Sequence, residues 1–249
     1  MAGRFFKLSK LKAMSKGQAG RYMLYALGEI VLVVAGILIA LAINNANEAK
    51  KQNNELNAIL LNIKADLVTD TTVVGRIIPV YEEREKIADS IVAGKFTRET
   101  YQTCSICHYL ITSYAPFTIN DKGYQQLRSF NQATEKQDSL SIEISQFYNL
   151  FTDFVSDVGG RVEADTYTTL EKWRDTQPWF SAIMSGKLND GYLDYISESD
   201  DFKNRVAYHN IIAYKNFLPL LRQYKQQSTL VLSMINERIG EDLVEDGDE

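Results

Sequence analysis

Both cysteines of this 249-residue chain stand in one pentapeptide, Cys104-Ser105-Ile106-Cys107-His108. Three chemistries use that spacing. Two thioethers and a proximal imidazole attach a c-type haem. A dithiol separated by two residues exchanges electrons with a partner thiol. A local disulfide, or a pair of structural thiols, needs nothing further. The haem reading requires a sixth ligand, for which His209, Met184 or Met234 could serve. It also requires a small cytochrome surround, and the flanking segments do not resemble one. Thiol exchange of the thioredoxin type goes with a βαβ pattern, and none surrounds the motif. The residues therefore favour a Cys104–Cys107 disulfide or structural thiols with no cofactor. Haem c on Cys104, Cys107 and His108, and thiol exchange, remain open.

No other group of residues has chemical spacing. There is no glycine-rich phosphate loop, no His or Asp cluster at metal-ligand intervals and no nucleophile elbow. No catalytic or metal-binding residue is expected, and the chain reads as non-enzymatic. His209, with Val206 and Ala213 on its face, reads as a core or interface histidine. Glu82, Glu83, Arg84, Glu85 and Lys86 read as a solvated helix face. The aromatic residues Tyr109, Tyr114, Phe117, Tyr124 and Phe130 read first as core packing and second as a groove for a peptide or small ligand.

The strongest architectural signal is the apolar run over residues 22–43. As a helix it extends about 33 Å, enough to cross a ~30 Å hydrocarbon core. Arg4, Lys7, Lys10, Lys12, Lys16 and Arg21 precede it with no acidic residue among them. Such an excess marks the cytoplasmic side, so the N-terminus lies inside and the rest outside. Phe5, Phe6, Leu8, Leu11 and Met14 among those lysines also suit a segment lying on an anionic inner leaflet. Ala40-Leu41-Ala42 has the form a signal peptidase reads, but the run is longer than a usual signal core. A retained anchor is the better reading.

Removing the 6 basic and 1 acidic residues of positions 1–43 from the chain totals of 27 and 32 leaves 21 against 31. An outer domain so acidic is a poor match for nucleic acid. Its cysteines would lie in an oxidising compartment.

Glu29 is the one ionisable group within the run, about 10 Å from its start. Gly36 and Ala40 follow at i+7 and i+11 on the same face. Small residues at that spacing let two helix backbones approach, so Glu29, Gly36 and Ala40 form a candidate self-association surface. Glu29 reads chiefly as a side chain reaching the inner headgroups.

Beyond the anchor, Leu56, Leu60, Ile63, Leu67, Asp70, Val74, Ile77 and Tyr81 recur in steps of four and three. That is a helix buried along one stripe, which would extend an anchor dimer outward unless the domain's own helices cover it. Pro79 should kink or end this helix. A second helix over 80–93 would close at Gly94, and a short helix from Arg98 leads into Cys104. An ordered loop over 114–120 precedes a short helix over 121–130. Asp138 can cap a helix over 139–157, which Gly159-Gly160 should break before it resumes over 161–176. Residues from Pro178 through Gly186, Gly191 and Tyr192 read as irregular. A last long helix runs from a cap at Ser199 to about Ile239, kinked at Pro219, with Phe202, Val206, His209, Ala213, Phe217, Leu220 and Tyr224 on one side.

No segment alternates at period two long enough for a sheet. The expected fold is all-α: a basic cytoplasmic arm (1–21), a transmembrane helix (22–43), a mostly helical extracytoplasmic bundle (44–240) and an acidic, frayed tail (241–249).

Several of these stretches resemble an uncharacterised family of single-pass membrane proteins from Bacteroidota. The first runs from Tyr25-Ala26-Leu27-Gly28-Glu29-Ile30 through the apolar core to Ile43-Asn44-Asn45, where the family often continues Trp-Asn and this chain has Ala46-Asn47. Phe117-Thr118-Ile119-Asn120 with Gly123-Tyr124-Gln125-Gln126-Leu127-Arg128-Ser129 is similar to a second family stretch. Asp138-Ser139-Leu140 leading to Phe147-Tyr148 is similar to a third. The resemblance implies a helical, membrane-anchored protein, makes Glu29 part of a family pattern, and implies no reaction. The expectation is a single-pass protein of the inner (cytoplasmic) membrane with a periplasmic interaction, sensing or scaffold domain. Its partners would be the bilayer, a second copy of itself and an extracytoplasmic protein or peptide.

Overall fold

The computed structural model describes residues 16–134 and 138–245, with side chains over 23–134 and 138–240. Expectations for the first 15 residues, and for the side chains and last positions of the acidic tail, lie outside them. Helix makes up 87% of the structure, with no strand among the described residues. The all-α expectation holds.

The elements are α1 (Lys16–Val92), α2 (Arg98–Thr103), a 3₁₀ turn (Ile106–Tyr109), α3 (Lys122–Thr134) and α4 (Ser139–Thr176). Then come α5 (Phe180–Met184), α6 (Asp190–Glu198), α7 (Asp200–His209), a π-helical stretch (Asn210–Phe217) and α8 (Leu218–Glu245). The chain divides into two compact units, Met1–Glu55 and Leu56–Glu249.

In the first unit every described side chain over residues 23–50 is exposed. Its apolar residues run all round the helix rather than along one stripe. It is one helix long and apolar enough to cross a membrane, near the N-terminus.

In the second unit the α1 stripe is buried throughout, from Leu56 to Tyr81. α1 continues to Val92 without the expected break at Pro79. Proline inside a helix costs about 3 kcal/mol through a lost hydrogen bond and a clash with the carbonyl four residues earlier. Here that carbonyl belongs to Gly75. Val74 and Ile77 before the proline, and Tyr81, Ala88 and Ile91 after it, are buried in one core. Burying such side chains is worth roughly 1.5–3 kcal/mol each, so packing outweighs the local defect. The stop at Gly94 does occur. Its φ is 67°, its N–H donates to the Ile91 carbonyl, and Lys95 N–H donates to that of Ser90. Glycine enters that left-handed conformation without a Cβ penalty.

The second expected break also fails, since Gly159 and Gly160 lie inside the uninterrupted α4. Phe151 and Val155 on one side of them and Val162 and Trp173 on the other share the core. The last long helix is divided instead: α7 passes into the π-helical stretch, and α8 continues to Glu245 rather than ending near Ile239. Pro219 has no N–H to give. The wider turn ends just before it, with Leu218 N–H donating to the Ala213 carbonyl. Between Pro178 and Tyr192, the stretch expected to be irregular holds α5 and the start of α6. Asn189 caps α6, as Asp138 caps α4 and Ser199 caps α7.

Candidate functional site

The segment 113–121 has no regular structure and is fastened at both ends to α1. Arg84 donates to the carbonyl of Ser113 at 2.8 Å and to its hydroxyl at 3.0 Å. Ala115 N–H donates to the Tyr81 hydroxyl at 3.1 Å. At the other end the buried Asp70 carboxylate accepts the Asn120 N–H at 3.0 Å, the Asn120 side-chain amide, and the Tyr224 hydroxyl at 2.7 Å. One helical turn away, Asp66 accepts the Gly123 N–H at 2.8 Å at the start of α3. A Cβ on Gly123 would come within 2.6 Å of the Ile63 backbone nitrogen, so this approach of α3 to α1 needs glycine.

Burial pushes the Asp70 carboxyl above its usual range. The Tyr224 and Asn120 donors offset part of that, and neighbouring Asp66 adds to it. Burial likewise pushes the Tyr148 and Tyr224 phenols upward, and the nearby aspartates reinforce it. Both phenols therefore stay neutral, and that of Tyr224 donates to Asp70.

Within the segment Phe117 and Ile119 are buried while Pro116 and Thr118 are exposed. That alternation is extended chain. It forms one wall of a groove of about 400 Å³ whose other wall is α4 and whose floor includes Val155 and Phe217. The paired glycines make room. A Cβ on Gly159 would sit 3.4 Å from the Phe217 ring, while Gly160 faces open space. The charged residues lining the groove are Asp121 and Glu163, both acidic. Tyr114 stands edge-on to Tyr167, with ring centroids 6.2 Å apart, and its phenol is raised by the Glu163 carboxylate beside it.

Cys104, Cys107 and His108 do come together, but as part of the core wall. The cysteines are joined by a sulfur–sulfur bond, with Cα atoms 5.4 Å apart, and Cys107 N–H donates to Cys104 Sγ at 3.2 Å. Cys107 is 1% exposed. Cys104 is the C-cap of α2, at the negative end of the helix dipole, where a thiolate is disfavoured. The His108 ring packs 5.5 Å from that of Tyr192, with Nδ1 3.3 Å from its hydroxyl. Burial holds this imidazole below its ordinary pKa. Behind Tyr192 lie Trp173, Trp179 and Tyr195, and Arg98 of α2 pairs with Asp190 and Asp194 of α6 across the outside.

The other residues weighed for haem have different surroundings. His209 is 1% exposed, its Nδ1 2.7 Å from the Asp165 carboxylate, as a core histidine should be. Met184 is exposed on α5, and Met234 lines a separate groove between α4 and α8.

In the first unit Glu29 lies beside Ala26, Ile30, Val33 and Val34, and a Cβ added at Gly36 would meet nothing within 4 Å. Gly36 and Ala40 remain on the exposed surface of that helix.

The model of a family of unknown function (DUF6090) matches residues 29–208. The chain belongs to that family. No curated protein matches it, and no solved structure does. The stretch matched to DUF6090 begins at Glu29, holds the fastened segment, the groove-lining part of α4 and the cysteine pair, and ends within α7. α8 follows it, although its Tyr224 completes the Asp70 cluster.

Among the aromatic residues singled out from sequence, Phe117 and Tyr124 are core, Tyr114 and Phe130 are half-buried and Tyr109 is exposed. Tyr124 stacks on Tyr148 with ring centroids 4.7 Å apart. The acidic run is less solvated than expected: Glu82 pairs with Arg222, Glu85 with Lys215, and Arg84 holds Ser113. Sequence reasoning missed Asp66, Asp70 and Gly123 as the fastening points. The available signal was an aspartate at an apolar seam position of α1.

Proposed function

We propose that this member of DUF6090 is a non-enzymatic envelope protein, anchored by residues 22–43 in the inner membrane. Its N-terminal arm is cytoplasmic and its helical domain is a periplasmic interaction or sensing module. One observation carries this: an apolar helix with no packing partner is joined to a domain that closes its own core. The basic arm supplies the orientation. The anchor pairs with a second copy through the face of Glu29, Gly36 and Ala40. Because the Leu56–Tyr81 stripe is consumed inside the domain, the membrane helices alone make that contact.

The disulfide of Cys104 and Cys107 serves as a staple between α2 and the 3₁₀ turn. The residues do not fit a haem. Cys107 is closed off, His108 is engaged with Tyr192, and His209 is committed to Asp165.

Topology decides the reading. External protease should remove the domain from cells only after the outer envelope is permeabilised, leaving a fragment that retains residues 1–43. A mature N-terminus near Ile43, or a domain protected until the inner membrane is opened, would overturn it. A haem stain on purified membranes that depends on Cys104 and Cys107 would instead favour the redox alternative.

A further inference from the structure

Three features of the groove beside residues 114–121 converge on one class of ligand. Its lining charges are the carboxylates of Asp121 and Glu163, with no Lys or Arg among the lining residues. The Tyr114 ring stands beside Glu163, which suits a cation partly withdrawn from water. The wall is an extended chain whose Thr118 is exposed, and among the described residues no group accepts from the Thr118 N–H. Exposed extended backbone with unmet hydrogen-bonding groups is a template for another extended chain.

We infer that this groove binds an extended basic peptide, with one Lys or Arg side chain at Glu163, another at Asp121, and its main chain alongside residues 116–119. The inference rests on reading the helical domain as an interaction module, and names that module's ligand class. The net acidity of the domain draws such a peptide in before contact. The paired glycines of α4 acquire a purpose. They weaken a helix interior by roughly 1 kcal/mol each, and they keep the groove clear of side chains where the ligand lies.

The test uses the full-length chain in nanodiscs and fluorescence anisotropy with a labelled Lys-Val-Lys-Val-Lys-Val peptide. A Glu-Val peptide of the same pattern and free spermidine serve as comparators. The basic peptide should bind and the acidic one should not, with spermidine a much weaker competitor than unlabelled peptide. Glu163→Gln should weaken binding about tenfold, the scale of one charge-assisted hydrogen bond. Gly160→Phe should abolish binding without lowering Tm, because that position has free space and gains helix propensity. The inference is overturned if folded protein ignores the basic peptide or binds both peptides alike. Full binding by Gly160→Phe, or spermidine competing as well as peptide, overturns it equally. A chain inserted with its N-terminus inside that binds no peptide ends this inference and leaves the anchoring reading intact. A domain found in the cytoplasm ends that reading while the binding measurement still stands.

Discussion

The Tyr224 hydroxyl donates to the Asp70 carboxylate at 2.7 Å, joining α8 to the middle of α1 across 154 positions of sequence. The same carboxylate holds Asn120, so one acidic group sets the spacing of two helices and the groove wall. Asp70→Ala leaves the three donors facing an apolar surface. Stability measured by urea unfolding should drop by about 3–5 kcal/mol, the range for breaking a buried charged network. Tyr224→Phe removes one donor and should cost about 1.5–3 kcal/mol.

The pH dependence of that site has a definite sign. Asp70 is raised in the folded state, so its contribution is complete below the ordinary aspartate pKa and is lost as pH rises through the folded value. The stability of the native chain relative to Asp70→Asn should therefore decline over that interval and then level off. Asp89 behaves oppositely. Lys215 and Asn210 hold it low, so its contribution exists above the ordinary value and fades as pH falls through the folded one. Unfolding curves of Asp70→Asn and Asp89→Asn across the acid range should diverge in opposite directions.

Two glycine substitutions should separate close contact from free space. Gly123→Ala forces a Cβ against the Ile63 backbone and should destabilise by about 3 kcal/mol or more. Gly160→Ala meets nothing within 4 Å and should stabilise by roughly 1 kcal/mol, read as a rise in Tm.

Replacing Pro79 by Ala restores an amide donor within α1, facing the Gly75 carbonyl. Stability should increase by about 1–3 kcal/mol, with the circular dichroism of the folded state unchanged. A loss would mean that the proline ring contributes more by packing than it costs the helix.

Assembly through the anchor should respond to Gly36→Ile, which places a branched side chain on the contact face, and not to Val34→Ile on another face. Crosslinking yields in native membranes measure this. Glu29→Gln separates hydrogen bonding from charge, since it keeps the first and removes the second. Monomer alone in native membranes would refute the pairing.

Hydrophobicity and periodicity are local properties, and the sequence by itself determined whatever depends on them. The run over 22–43 is apolar on every side, and the steps of four and three from Leu56 to Tyr81 put one face of α1 in the core, as observed. The caps at Asp138 and Ser199 and the stop at Gly94 were equally legible, because each satisfies backbone groups a few residues away. Tertiary structure decided the rest. Pro79 and Gly159-Gly160 look like breaks because their cost of about 1–3 kcal/mol is paid locally. The burial that outweighs it comes from α8 and the π-helical stretch, which no local window contains. Asp70 filled a position of the apolar seam in the sequence, and only the fold brings Asn120 and Tyr224 to it as donors. The groove exists only where an extended segment, two helical glycines and Phe217 meet. Such a site depends on shape and on pairing between distant positions, and those arise when the chain is folded.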